Sequence, residues 1–366
     1  MHKRMKSKVY FVRVNDSDAT GIIKSKLKRL IETSQVLDFI RKGDRVAMKI
    51  HFGEEGNTGY VRPEFVRVLS DNITKKQANH FLSDTNTLYR GARTNSQDHL
   101  KLAYEHGFTK EVCGSGVLIA DDTRKENVAE VLINGEFIKT AKIVKLFQGA
   151  DVIFGIAHFK GHMMTGFGGA LKNIGMGCAT IEGKLAQHSD ISPFVRIEKC
   201  TACKECLKTC PQDTIFIKNN KAYIDPAKCI GCASCIAACV QNAIDVNWEA
   251  GGSNIQEKMV EYAKAALKDK QGKSAFINFA TKITKECDCL AKDDPRIAPD
   301  VGILVSQDPV SIDKASLDLV NKATGKDIFK EVQPLRDGLK QLDYASQIGV
   351  GNLDYELIEV DAKDLA

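Results

Sequence analysis

Two stretches rich in cysteine, CTACKECLKTC at 200–210 and CIGCASCIAAC at 229–239, decide how the chain is organised. Both have the spacing C-x2-C-x2-C-x3-C. The first three thiolates of such a run can surround one face of a cube of iron and sulfide, whereas the fourth points away from that cube. The tandem spacing therefore predicts two 4Fe-4S clusters, in which each run lends its fourth cysteine to the other cluster.

The ligand sets follow from this exchange. We expect one cluster on Cys200, Cys203, Cys206 and Cys239, and the second on Cys229, Cys232, Cys235 and Cys210. The alternatives are zinc and disulfides, but zinc sites need four ligands in two pairs, and a disulfide scaffold needs no such regular triplets. Val240 stands where proline commonly follows the fourth cysteine of such a run.

Composition describes the surroundings of this segment. A chain of 366 residues with 43% hydrophobic residues has room for two or three domains. Its twelve cysteines, eight of them assigned to clusters, indicate a reducing, anoxic cytoplasm. The apolar stretch Val9–Val14 is too short for a signal-peptide core, and we expect no membrane association. The formal charge of +5 is not gathered into a basic stripe with aromatic residues, which argues against nucleic-acid binding.

An alternation of strands and helices brackets the cysteine segment. Strands are predicted at Val9–Val14, Arg45–Phe52, Phe81–Ser83, Val117–Ala120, Asp151–Phe159, Ala275–Thr281, Val301–Val305 and Tyr355–Val360. Helices are predicted at Ile22–Ile40, Arg62–Lys76, Gln97–His106, Asn254–Leu267 and Ile312–Lys322. This order predicts an α/β fold with a mostly parallel sheet covered by helices on both faces. We expect residues 1–192 and 248–366 to form this domain, and residues 193–247 to form an inserted ferredoxin-like domain with two clusters.

Polar residues crowd the loops that follow the predicted strands. Because the carboxyl ends of parallel strands form the ligand crevice of an open sheet, we expect these side chains to converge on one edge. We assign binding of an anionic ligand to His51, Glu54, Asp84, Arg90, Arg93, Lys172 and Asn173. Catalytic roles, including proton supply by histidine, are assigned to His158, Lys160, His162 and His188. Asp308 follows the strand at Val301 and is expected at the same edge. A histidine at a strand end is also common as a purely structural residue.

Cys287 and Cys289 form a separate feature after the strand at Ala275. On an extended segment, residues i and i+2 face the same side. Two such thiols can bind an additional metal ion, add ligands to another metal centre or form a redox couple. The alternative is that they are small buried hydrophobic residues, as we expect for Cys113 and Cys178. A flavin in the same crevice is left open.

The chain resembles a known family at several short segments. These are His51-Phe52-Gly53-Glu54, Asp84-Thr85-Asn86-Thr87-Leu88-Tyr89, His158-Phe159-Lys160-Gly161-His162, Gly166-Phe167-Gly168-Gly169-Ala170-Leu171-Lys172-Asn173, Cys287-Asp288-Cys289 and Asp308-Pro309-Val310. They are similar to segments of the Fe-S centre proteins, prokaryotic members of a large domain-of-unknown-function family with a ferredoxin module in the middle. The resemblance implies the fold and the clusters. It implies no substrate, because the family has no settled reaction.

The leading hypothesis is an iron–sulfur oxidoreductase that passes single electrons to an unknown, anionic small molecule at the strand ends. A redox partner protein of ferredoxin or flavodoxin type would reduce the clusters. Lysines near the clusters could guide an acidic partner or simply be solvated: Lys199, Lys204, Lys208, Lys218, Lys221 and Lys228. The alternatives are a non-enzymatic electron carrier or adaptor, and a metal- or cofactor-handling protein that uses Cys287 and Cys289.

Overall fold

A computed structural model describes residues 6–89, 91–188, 193–210, 212–229, 234–245 and 254–361. Arg90 and Cys232, two of the predicted site residues, lie outside these ranges. The strands are β1 (Ser7–Arg13), β2 (Arg45–Ile50), β3 (Asn79–Ser83), β4 (Gly116–Val117), β5 (Val128–Leu132), β6 (Thr140–Val144), β7 (Val152–His158), β8 (Lys160–His162), β9 (Gly166–Gly168), β10 (Phe194–Val195), β11 (Ile215–Lys218), β12 (Lys221–Ile224), β13 (Ile244–Asp245), β14 (Ser274–Ala280), β15 (Gly302–Ser306) and β16 (Tyr355–Glu359).

The helices lie between these strands and cover the sheet that they form. They are α1 (Thr20–Ser34), α2 (Pro63–Lys75), α3 (Ser96–Glu105), α4 (Lys110–Cys113), α5 (Lys145–Gln148), α6 (Ala170–Gly175), α7 (Ile181–His188), α8 (Glu205–Thr209), α9 (Ser234–Ala238), α10 (Ile255–Ala266), α11 (Pro309–Thr324), α12 (Ile328–Val332) and α13 (Leu339–Gln347). Helix α1 ends six residues before the predicted end at Ile40 because Gln35 adopts a left-handed conformation, with φ of 52°. Within the described ranges, no helix has the length and apolar character needed to cross a bilayer.

The central sheet has eight strands in the order β16-β1-β15-β14-β7-β2-β3-β4 among the described residues. Every neighbouring pair is parallel except the two pairs that involve β15, which runs against both β1 and β14. The predicted mostly parallel α/β fold is therefore confirmed.

The reversed direction of β15 corrects the expectation for Asp308. Ala280, at the end of β14, pairs with Gly302, at the start of β15, so the chain returns to the sheet at the edge it has just left. Asp308 consequently lies at the opposite edge, where its carboxylate accepts hydrogen bonds from the Ser7 hydroxyl at 2.7 Å and the Asn352 amide at 2.8 Å. It also caps the first turn of α11.

Both faces of the sheet are buried. Along β7, Ile153 belongs to one apolar cluster, whereas Val152 and Phe154 belong to another, as alternation along a strand requires. Helices α6, α10 and α11 contribute to the first cluster, and α1 and α2 contribute to the second. The near-continuous run of buried residues in β7 and β14 is typical of central parallel strands.

The cysteine segment forms small structural units of its own. Antiparallel ladders join β10 to β13 and β11 to β12. Its buried residues form a third apolar cluster, which also includes Leu88 from the loop after β3 and Ile181 and Leu185 from α7. The segment therefore packs against the α/β part of the chain at one loop and one helix. The domain boundaries at 193 and 247 remain a prediction.

Candidate ligand and metal site

Three parallel strands deliver polar side chains to the same edge of the sheet. His51 follows β2, Asp84 follows β3, and His158 is the last residue of β7. The order β7-β2-β3 places these three strands side by side. This edge is buried: Asp84 and His158 expose only 3% and 6% of their surface. The predicted convergence at the carboxyl ends of the strands is present in these residues.

Asp84 lies at the centre of one buried group of charges. Its Oδ1 is 2.9 Å from Lys49 Nζ, and its Oδ2 is 3.7 Å from Arg93 Nη1. Burial alone raises the pKa of Asp84, but the positive charges, led by Lys49, outweigh it and hold the pKa well below its usual range. Lys49 also donates to Asn173 Oδ1 at 2.9 Å, which ties helix α6 to the same group. Asp84 is therefore ionised and paired.

Arg93 connects this group to the neighbouring loops. Its guanidinium is buried and pairs with Glu54 Oε2 at 3.1 Å. It donates to His51 Nε2 at 2.7 Å and to the Tyr89 hydroxyl. Burial and the nearby guanidinium keep the pKa of His51 well below its usual value, so this ring is a neutral acceptor. The predicted binding residues His51, Glu54, Asp84 and Arg93 are thus brought into one hydrogen-bonded network.

Asp288 organises a second group. Its carboxylate is 3.0 Å from His158 Nδ1 and 2.8 Å from Lys160 Nζ. His158 Nε2 is 2.9 Å from the carbonyl oxygen of Thr281. Both ring nitrogens of His158 therefore face oxygen acceptors, and both hydrogen bonds form only when the ring is doubly protonated. This arrangement fixes the orientation of the His158 ring, and its predicted catalytic role stays a prediction.

Cys287 and Cys289 flank Asp288 in a turn. The amide of Leu290 donates to the carbonyl oxygen of Cys287 at 3.0 Å, so the segment is a tight turn and the expectation of an extended segment is wrong. The two sulfur atoms nevertheless lie close together and close to His162. One ligand atom from each of these three residues lies within 4.8 Å of the others, so they could bind a metal ion.

Positive charge faces the two thiols. Lys172 Nζ lies 3.8 Å from Cys287 Sγ. The hydrogen bond from Cys289, followed by Lys172 and Lys160, lowers the pKa of Cys287 well below its usual value, although burial opposes this. The same shared proton raises the pKa of Cys289. Of the two thiols, Cys287 is therefore the more acidic.

Two of the predicted catalytic histidines are held neutral. Burial, followed by the charge of Lys172, lowers the pKa of His162 to about 4. Burial, followed by His162 and Lys172, lowers the pKa of His188 to about 3. At neutral pH both rings carry a lone pair and no net charge, which suits a ligand or a proton acceptor better than a proton donor.

Several residues of this edge escaped the sequence predictions. Lys49 is part of a buried strand, and its ammonium is the main partner of Asp84. Asp313, from α11, accepts from the amides of Ala170 and Leu171 at 2.7 and 2.9 Å and thereby fixes the start of α6. The signal for Lys49 was present, because a charged residue inside an otherwise apolar strand needs a buried partner. Asp313 left no comparable signal.

A separate cavity lies in the cysteine segment. Cys200, Cys203, Cys206 and Cys239 all line it. Backbone amides point at the sulfur atoms: Ala222 donates to Cys200 at 3.3 Å, and Ala243 donates to Cys239 at 3.2 Å. Cys210 lies apart from this cavity lining, and the Thr214 amide donates to its sulfur at 3.4 Å. Cys235 is buried in α9, and Cys229 is half-buried.

One loop and one helix contact both the cysteine segment and the strand-end edge. Leu88 belongs to the apolar cluster of the cysteine segment, and the adjacent Tyr89 accepts from Arg93. On α7, Ile181 and Leu185 belong to the same cluster, whereas Lys184 donates to the carbonyl oxygen of Asn86 at 2.7 Å. Burial lowers the pKa of Lys184 to about 8.

Comparisons with known proteins add a family match. The family model described as a domain of unknown function, DUF362, matches residues 46–318. No curated protein sequence matches the chain significantly. The lactate racemase apoprotein from Thermoanaerobacterium thermosaccharolyticum is similar at 16% identity and a TM-score of 0.40, over 75% of this chain and 51% of that chain. A structural-genomics crystal structure of a Thermotoga maritima protein is similar at 13% identity and a TM-score of 0.36, over 91% of this chain and 60% of that chain. The chain thus spans about half and three fifths of the lengths of these two proteins.

Proposed function

The chain belongs to the DUF362 family, and we propose that within it the chain is an iron–sulfur oxidoreductase. Two 4Fe-4S clusters in the cysteine segment would pass single electrons to an anionic small molecule bound at the strand-end edge. The observation that carries this proposal is the shared loop and helix: Leu88–Tyr89 and α7 contact both the cysteine segment and the buried polar network.

The cavity in the cysteine segment supports the first cluster. Its four cysteines are those that the spacing assigns to one cube, three from the first run and the fourth from the second. Amides that donate to cluster sulfurs stabilise the reduced state and tune its potential, and Cys200 and Cys239 both accept such bonds. When bound, 4Fe-4S clusters supply one-electron transfer. Cys229, Cys232, Cys235 and Cys210 would hold the second cluster.

Concentrated positive charge supports an anionic ligand. Lys172, Lys160 and Arg93 lie around the two thiols and the Asp84 network, and two of these three side chains are buried. Lys160 pairs with Asp288, and Arg93 pairs with Glu54 and Asp84. Among the described residues, the contact given for the Lys172 ammonium is with the sulfur of Cys287 and not with a carboxylate. A carboxylate or phosphate of the ligand would be attracted to this ammonium.

The buried position of the network also weighs against the alternative of an electron carrier or adaptor. A docking surface would spread its polar groups over an open face, whereas Asp84, Arg93, Asp288 and His158 are buried and bonded to one another. We further propose that a ferredoxin- or flavodoxin-type donor reduces the clusters, in a reducing cytoplasm. Lysines beside the cysteines, including the exposed Lys204 and Lys208, would meet its acidic surface.

Anaerobic stopped-flow reoxidation tests the proposal. The full chain would be purified without oxygen, reduced, and mixed with a panel of small carboxylate and phosphate acceptors while the visible absorbance of the clusters is followed. We expect at least one acceptor to reoxidise the clusters rapidly in the wild type. Lys172→Met should slow this reoxidation at least tenfold, whereas Lys101→Met, on the exposed surface of α3, should leave it unchanged. Equal reoxidation rates in the Lys172 variant and the wild type, for every acceptor in the panel, would refute the proposed ligand site.

A further inference from the structure

We infer that His162, Cys287 and Cys289 form a mononuclear site for a thiophilic divalent cation of the zinc type, with one coordination position open to an exogenous ligand. This inference goes beyond the proposed electron transfer and does not depend on it, because none of the three residues belongs to the cysteine runs. The site lies at the edge of the sheet at which His158, Lys160 and Lys172 gather.

The donor set is the first argument. Two sulfurs and one imidazole nitrogen lie within 4.8 Å of one another. With zinc–sulfur bonds of about 2.3 Å and zinc–nitrogen bonds of about 2.0 Å, small inward movements of these side chains bring all three atoms to one ion. Soft thiolates with imidazole favour zinc over magnesium or calcium. Three protein ligands leave the fourth tetrahedral position open, as in catalytic zinc sites.

The backbone of the turn is held in place independently of any metal. Asp288 is anchored by Lys160 at 2.8 Å and by His158 at 3.0 Å, and its carbonyl oxygen accepts from the Glu54 amide at 2.9 Å. With Asp288 fixed on one side of the turn, Cys287 and Cys289 are left to face His162 on the other. The ligands are therefore preorganised by a charged group that does not itself touch the ion.

A glycine allows the strand that carries His162 to reach the turn. Gly161 donates its amide to the carbonyl oxygen of Thr284 at 2.9 Å. A Cβ atom on residue 161 would overlap with the carbonyl oxygen of Lys285. Any larger residue would push β8 away from the segment that leads to Cys287, and the imidazole would move with it.

Hydrogen bonds to His162 select the nitrogen that faces the sulfurs. The Met164 and Thr165 amides donate to Nδ1 at 3.2 and 3.3 Å, and the Thr165 hydroxyl lies 3.1 Å from it, so Nδ1 is an acceptor and Nε2 is the nitrogen that remains for an ion. In this arrangement the ring proton lies on Nε2, and an ion that binds there takes the place of that proton.

The surrounding charges suit a neutral metal centre. Two thiolates and a divalent ion sum to zero, and Lys172 Nζ, 3.8 Å from Cys287 Sγ, adds one positive charge beside the site. An anion bound at the open position would therefore lie close both to the metal ion and to the ammonium of Lys172.

Zinc binding to the full chain tests this site. Anaerobically purified protein with its iron content intact would be depleted of loosely held metal and dialysed against increasing Zn²⁺, and bound zinc and iron would be measured by mass spectrometry. We expect one zinc per chain in the wild type. Cys287→Ala and His162→Gln should each weaken zinc binding at least 100-fold with the iron content unchanged.

The matched control is Cys178→Ala, because Cys178 is a buried thiol outside the donor set. It should retain the zinc of the wild type. X-ray absorption at the zinc edge should report two sulfur neighbours at about 2.3 Å and nitrogen or oxygen neighbours at about 2.0 Å. Absence of stoichiometric zinc in the wild type, zinc that persists in both Cys287→Ala and His162→Gln, or a shell of four sulfurs would overturn the inference. Failed reoxidation of the clusters with intact zinc binding would instead count against the proposed function alone.

Discussion

Lys160 Nζ lies 2.8 Å from Asp288 Oδ2, and both side chains are almost completely buried. The same carboxylate lies 3.0 Å from His158 Nδ1. Burial raises the pKa of Asp288, but His158 and Lys160 outweigh it and hold the pKa well below its usual range. The turn that carries Cys287 and Cys289 therefore depends on an ionised carboxylate between the Lys160 ammonium and the His158 ring.

Replacing this carboxylate should destabilise the protein strongly. In Asp288→Asn the ammonium of Lys160 loses its anionic partner in a buried position, which costs about 3 kcal/mol. Urea unfolding at pH 7 under anaerobic conditions measures this loss. Glu205→Gln, at an exposed ion pair with Lys208, is the control and should change the free energy of unfolding by less than about 0.5 kcal/mol. Equal effects of the two substitutions would contradict the structural role of Asp288.

Mild acid should destabilise the chain through His99. Burial, with Arg93 adding to it, lowers the pKa of this ring to about 3 in the folded protein, against about 6.5 when unfolded. Between these two pKa values His99 binds a proton in the unfolded state but not in the folded state. The free energy of unfolding therefore falls as the pH drops below about 6.5. Between pH 6.5 and 5 this amounts to about 2 kcal/mol, and His99→Gln should lose that part of the pH dependence.

The control for this pH dependence lies at the start of the same helix. Asn95 caps α3 by accepting from the Gln97 and Asp98 amides. Asn95→Ala should cost about 1 kcal/mol equally at pH 6.5 and pH 5. Urea unfolding of the wild type and both variants at the two pH values gives the comparison. If His99→Gln keeps the full wild-type difference between the two pH values, the buried ring is not its source.

The exchange of fourth cysteines between the two runs can be tested by redox titration. Cys203→Ser and Cys239→Ser should both alter the same one of two midpoint potentials, because both residues line the same cavity. Cys210→Ser should alter the other midpoint. If a variant loses one of the two proposed clusters, its iron content should fall to about half of the wild-type value. A common midpoint for Cys203→Ser and Cys210→Ser would mean that each run holds its own cluster.

The contact between the cysteine segment and α7 should contribute to stability. Leu185 is 2% exposed within the apolar cluster that includes Cys206 and Cys235. Leu185→Ala should cost about 3 kcal/mol by leaving a cavity, and should speed the loss of visible absorbance in air. Urea unfolding and the decay of that absorbance measure the two effects. Leu118→Ala, at a side chain 44% exposed, should leave both nearly unchanged.

The sequence predicted those parts of the fold that depend on short-range pattern. The strand at β7 was placed within one residue at each end, because an unbroken apolar run between polar boundaries specifies a buried strand. The direction of β15 could not be predicted in this way. It depends on the loop at 281–301, which stays at the edge where β14 ends and enters β15 from there. The same loop brings Cys287 and Cys289 to the site and sends Asp308 to the far edge.

The candidate site was predictable in outline and less so in its roles. Strand-end positions correctly brought His51, Asp84 and His158 together, because parallel strands share one carboxyl edge. The partners of these residues come from distant segments: Lys49 from inside β2 and Asp288 from a turn 130 residues after His158. Pairing of this kind determines which groups are charged, and residue spacing carries no information about it.

The position of β1 has a consequence for the order of folding during synthesis. This strand lies between β15 and β16, and Arg13 pairs with Gly302 while Ser7 pairs with Tyr355. Strand β1 therefore acquires neither of its sheet neighbours until the segments after residue 300 have been synthesised. The cysteine runs precede those segments in the chain, so the iron insertion that we propose can take place before the sheet closes.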